Sequence, residues 1–185
     1  RNESAGLLGA IDEALRIGRE ASIPVHIYHL KAAGKRNWPL MREAIAKIAA
    51  ARAAGFDVTA DIYPYIRNQL DLASLIPPAH CARGRPAALA ALSDPAVRAA
   101  LRAQIENPDS DWENWYQHTG SDWDKVMITS SGEYPTDVGG LSVAEAARKL
   151  GKDVWDTFFE LAAAPGADCA PESMDEEQKI LALRA

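Results

Sequence analysis

Pro24-Val25-His26-Ile27-Tyr28-His29-Leu30-Lys31-Ala32-Ala33-Gly34-Lys35 reads as a short buried strand that runs straight into a polar loop. Val25 to His29 is β-branched and aromatic, and Pro24 holds the first strand position, where a missing N–H does least harm. Ala33-Gly34 breaks the run. Asn37 is then placed to cap a helix whose first turn holds Pro39. In α/β proteins the chemistry sits where parallel strands end and loops begin. A histidine closing a strand, with a lysine two residues on, is therefore placed for catalysis. The residues leave three roles open for His29: metal ligand, general base, or core histidine satisfied by hydrogen bonds.

The next apolar run, Phe56 to Tyr63, alternates. Val58, Ala60 and Ile62 point one way, and Thr59, Asp61 and Tyr63 the other. Outer helices would cover the first set. The second is polar where a sandwich core would be apolar, and it suits the inward positions near the C-terminal ends of barrel strands. Between the two runs lies a helix over about 38–54, with Met41, Ile45 and Ile48 on one side and Gly55 as its left-handed stop. Strand, helix and strand at this spacing form a βαβ unit with a parallel pair. An amphipathic helix over 4–21, marked by Leu7, Leu8, Ile11, Leu15 and Ile17, precedes it.

From Pro64 to Asp124 the alternation is lost, and Pro77-Pro78, Arg85-Pro86, Asp94-Pro95 and Asn107-Pro108 punctuate the chain. Residues 66–124 read as a mostly helical insertion, with its clearest helix over 95–105. Trp112, Trp115, Tyr116 and Trp123 form either a satellite core beneath a loop or part of a lid. A third buried strand, expected to be parallel with the first two, runs over 125–130. Ser142 with Glu145 then forms a capping box, a helix follows over 153–164, and Ser173 with Glu176 repeats the box.

With 20 Lys and Arg against 26 Asp and Glu, the 185 residues carry a net charge of −6, which argues against a nucleic-acid partner. No apolar run approaches the roughly 20 residues that cross a bilayer. Cys81 and Cys169, both in loop-like contexts, suggest a reducing, cytoplasmic setting. The chain opens at Arg1 without Met and closes inside a helical pattern, so it is expected to be an internal stretch of a longer polypeptide.

Two motifs are specific. His29-Leu30-Lys31-Ala32-Ala33-Gly34-Lys35 with Asn37-Trp38, and Asp57-Val58-Thr59-Ala60-Asp61-Ile62-Tyr63-Pro64-Tyr65, resemble the N-acyl-D-amino-acid deacylases (D-aminoacylases) of the amidohydrolase superfamily. Arg1-Asn2-Glu3 looks like the end of that family's His-x-Arg-Asn-Glu motif, and Ile76-Pro77-Pro78 follows in order. The resemblance implies an α/β fold, residues 1–185 being the internal part of one (β/α)8 metal-dependent hydrolase barrel. It implies one or two Zn2+ ions and hydrolysis of the amide of a small N-acyl-D-amino acid. By the same resemblance His29 is a zinc ligand, Lys31 binds the substrate carboxylate, Tyr63 contacts substrate through its hydroxyl, and Asp61 supports the ligand from behind. Arg67-Asn68-Gln69 replace the family's frequent Ala-Gly-Ser, which brings Gln69 among the substrate-binding positions and bears on acyl or side-chain specificity. The partner histidine would precede Arg1 and the catalytic aspartate would follow Ala185. Alternatives are a related hydrolase of D-dipeptides or cyclic amides, suggested by Asn68-Gln69, and a non-catalytic barrel relic or binding module.

Overall fold

A computed structural model describes residues 2–185, apart from the side chain of Arg83; Arg1 of the opening motif lies outside the described residues. In chain order the elements are α1 (Leu7–Ala21), β1 (Val25–Ile27), α2 (Leu40–Ala53), β2 (Val58–Ala60), β3 (Leu70–Asp71), α3 (Arg85–Ala90) and α4 (Pro95–Glu106). They continue with α5 (Trp115–His118), β4 (Val126–Ser131), α6 (Val143–Leu150), α7 (Val154–Ala163), β5 (Ala167–Pro171) and α8 (Glu176–Leu183). The fold is mixed helix and sheet, in two compact units: residues 2–66 with Met174–Ala185, and Arg67–Ser173.

The first unit is the expected βαβ. Strands β1 and β2 pair in parallel, with Val25 opposite Val58, His26 opposite Thr59 and Ile27 opposite Ala60. Helices α1 and α2 pack on the sheet through Leu7, Ile11 and Leu15, and through Met41, Ala44 and Ile48, the positions that helical periodicity selects. Gly18 is needed where α1 meets β1, because a methyl there would overlap Val25 Cγ2 and Phe56 Cζ. Gly55, at φ +81, ends α2 as expected. The first strand is shorter than its composition predicts. β1 stops at Ile27, and Tyr28 and His29 form a turn in which His29 adopts φ +58. Asn37 does not cap α2: Pro39 stands at the cap position, and the Asn37 amide donates to Ala33 O at 2.7 Å.

The second unit corrects the expectation for the third strand. β4 belongs to a separate three-stranded sheet, where it pairs antiparallel with β5, which also pairs antiparallel with β3. Ala167-Asp168-Cys169-Ala170-Pro171 lacks the β-branched run that marks a strand, so the sequence hides the partner that sets the direction of β4. Of the aromatic stretch, Trp115, Tyr116 and Trp123 are core and Trp112 is only half-buried: Tyr116 packs at a tilt on Trp123 (centroids 4.6 Å apart), and Trp123 meets Trp155 and Phe158 at 5.0 and 4.8 Å. The Ser142–Glu145 capping box forms. The second box does not: Asp175 caps α8, and Ser173 donates its hydroxyl to Asn68 Oδ1.

Candidate functional site

His29, Lys31, Asp61 and Tyr63 all lie in the first unit, beyond the C-terminal ends of β1 and β2. Asp61 organises them. Its N–H donates to Ile27 O (3.1 Å) and its carbonyl accepts from Leu30 N (2.8 Å), which carries the ladder past both strands. Its carboxylate accepts the N–H of His29, which fixes the left-handed turn there. The other carboxylate oxygen is 3.0 Å from His26 Nε2, and His26 Nδ1 is 2.7 Å from Thr59 Oγ1. These bonds, the one to His26 foremost, hold Asp61 below the usual carboxylate range. An ionised Asp61 only accepts, so His26 Nε2 carries a proton, and in neutral His26 Nδ1 accepts from Thr59.

The two histidines thereby separate in role. Both ring nitrogens of His26 are engaged. The His29 ring makes no hydrogen bond within the described residues and is held by contacts: Tyr28 stacks on it at 3.6 Å, and Tyr63 meets it edge-on at 4.9 Å. A cavity of about 350 Å³ is lined by His26, His29, Lys31 and Glu3 over the apolar floor of Leu7 and Ile11.

Lys31 is buried. Its ammonium donates to Glu3 Oε1 at 2.6 Å and to His29 O at 3.1 Å, and faces the Tyr63 ring at 5.5 Å. Two of its three protons are thus used, and one donor is left. Burial, and then the charge of Glu3, push the Tyr63 phenol well above its ordinary range, so it stays an O–H donor at neutral pH. Gln69 lies in the second unit, where its amide donates to Thr129 Oγ1 at 3.0 Å. Among the described residues, no three His, Cys, Asp or Glu side chains converge on a metal position. His29 fits zinc as one neutral imidazole with unengaged nitrogens, so any further ligands come from outside this set.

Sequence reasoning missed three participants. His26 was legible in principle, since it faces Thr59 across the parallel register. Glu3 was read only as a motif residue, and its pairing with Lys31 spans 28 positions. Lys179, on α8, meets the Tyr63 ring 4.0 Å from its centroid and carries no sequence signal at all.

No protein-family model matches the chain. Two curated relatives from Alcaligenes xylosoxydans xylosoxydans are each 42% identical: an N-acyl-D-glutamate deacylase over 65 residues (35% of this chain) and a D-aminoacylase over 66 residues (36%). In both cases the match spans 13% of the relative. A solved N-acyl-D-glutamate deacylase from Bordetella bronchiseptica, complexed with zinc and a phosphonate inhibitor, shares the fold at TM-score 0.62 and 24% identity, over 96% of this chain and 28% of that one. A D-aminoacylase structure, described as defining a novel subset of amidohydrolases, matches at TM-score 0.59 and 28% identity, over 98% and 29%. The chain thus spans under a third of the length of these structures. The likeness is to the amidohydrolases. Within them, the chain is similar to D-aminoacylases and an N-acyl-D-glutamate deacylase over these parts of their length, the likeness that the residues around His29 and Tyr63 imply.

Proposed function

We propose that this chain contributes part of one (β/α)8 catalytic barrel, with 66–124 as an insertion, in a zinc-dependent amidohydrolase. The reaction adds water across the amide of an N-acyl-D-amino acid, releasing a D-amino acid and a carboxylate. The observation that carries the reading is the grouping of His29, whose ring nitrogens are unengaged among the described residues, with the ammonium of Lys31 and the protonated phenol of Tyr63 around one turn. A zinc ion, when bound, polarises the amide carbonyl and activates water. His29 would supply one of its ligands. Lys31, held by Glu3, offers its remaining N–H to the substrate carboxylate as a point charge. Tyr63 donates its hydroxyl to the substrate, and Asp61 keeps the His29 turn in place. The free thiols of Cys81 and Cys169 favour a cytoplasmic setting.

The test is metal analysis beside steady-state kinetics on N-acetyl-D- and L-amino acids, with the full-length protein. His29→Ala should lose metal and turnover together. Lys31→Met should keep its metal and lose substrate affinity. Full metal occupancy with normal turnover in the His29 variant refutes the ligand role, and loss of metal in the Lys31 variant refutes the division of labour. Hydrolysis confined to D-dipeptides or cyclic amides would favour that alternative, although Asn68 is buried against Ser173.

A further inference from the structure

Helix α8 buries a lysine. Lys179 is 3% exposed, whereas its neighbours Ile180 and Leu183 are 44% and 61% exposed. Lysines are almost never fully buried unless paired. The ammonium of Lys179 has no hydrogen-bond partner among the described residues. It meets the face of the Tyr63 ring instead, 4.0 Å from the centroid. Lys31 bears on the same ring at 5.5 Å, so two ammonium groups converge on Tyr63. Among the described residues Lys31 makes an ion pair with Glu3, whereas the same carboxylate acts on Lys179 only from a distance, without a hydrogen bond. A cation–π contact replaces part of the hydration that a buried ammonium gives up, but it provides no acceptor for three N–H donors. Burial, and then repulsion from Lys31, lower Lys179 to about 8, so it stays mostly charged at neutral pH.

What Lys179 lacks, among the described residues, is an anion within hydrogen-bond reach. We propose that Lys179 is a specificity-determining residue that receives a second carboxylate on the substrate, the side-chain carboxylate of an N-acyl acidic amino acid, while Lys31 takes the α-carboxylate. The proposal rests on the deacylase reading above and names the substrate class of that same site. Lys31 and Lys179 lie 148 positions apart in the sequence and reach one ring from a loop and a helix, so each engages a different group without displacing the other.

The test compares the wild-type full-length protein with Lys179→Met, and with Lys179→Gln should the first variant misfold. Two substrates, N-acetyl-D-glutamate and N-acetyl-D-leucine, are read as a ratio of kcat/KM. The ratio of glutamate to leucine should fall at least tenfold in the variant and recover in part in Lys179→Arg. Glutarate, a dicarboxylate with no amide to cleave, should raise the melting temperature of the wild type more than acetate does, and the variant should lose that difference. An equal loss on both substrates makes Lys179 a prop for Tyr63 and overturns the proposal. So does an unchanged glutarate effect in the variant. If the wild type cleaves no N-acyl-D-amino acid, the deacylase reading fails, while the glutarate comparison still decides whether Lys179 binds an anion.

Discussion

Replacing Lys179 by methionine should stabilise the protein near neutral pH, although it deletes a native contact. The folded state lowers this lysine from 10.5 to about 8. At about 1.4 kcal/mol per pH unit, holding the ammonium buried at pH 7 costs on the order of 3 kcal/mol. Methionine fills a similar volume without a charge. It gives up the cation–π contact with Tyr63, about 1 kcal/mol at a desolvated ring. The variant should therefore lead by about 2 kcal/mol at pH 7. The sign follows from proton counts: between pH 8 and 10.5 the unfolded chain holds more proton on Lys179 than the folded one, so wild-type stability from this site rises with pH. The advantage of methionine should fade over that window. Tyr63 and Cys169 are both pushed up by burial and act in the opposite sense above about pH 9, but they are common to both proteins and largely cancel in the difference. The assay is urea unfolding of both proteins at intervals from pH 7 to 9.5. A difference that does not change with pH, or a wild type more stable at pH 7, would refute the picture of a buried ammonium without a hydrogen-bond acceptor. The same cost is what a bound carboxylate would offset, a usual trade of stability for function.

Gly132→Ala should destabilise by about 3 kcal/mol or more, read as a lower urea midpoint: Gly132 has φ +54, and a methyl there would overlap the backbone at Pro165, Gly166 and Ala167. An unchanged midpoint would mean the turn after β4 relaxes at no cost. Asp61→Ala removes the acceptor for the His29 N–H, so that amide should exchange with solvent markedly faster and stability should fall by about 1–3 kcal/mol. The loss should come mainly from the His29 turn, because the bond from His26 is half-exposed and is worth little.

The local periodicities of this chain determined a good deal without help from tertiary structure. Two apolar stripes at helical spacing placed α1 and α2, and alternation from Val58 placed β2. A helix long enough to cross over made the pair parallel, because the chain has no other short way back to the same edge. The motifs at His29 and Tyr63 pointed to the right relatives, because a spacing of residue types is a one-dimensional property. What the sequence did not determine is pairing over distance. β4 looks like any buried strand, and only β5, with no β-forming composition of its own, makes it antiparallel. His29 looks like a strand end, but Asp61, 32 residues on, draws its N–H into a left-handed turn. Lys179 sits on a helix where lysine is ordinarily solvated. Its burial follows from where α8 packs, and packing depends on which surfaces meet in three dimensions.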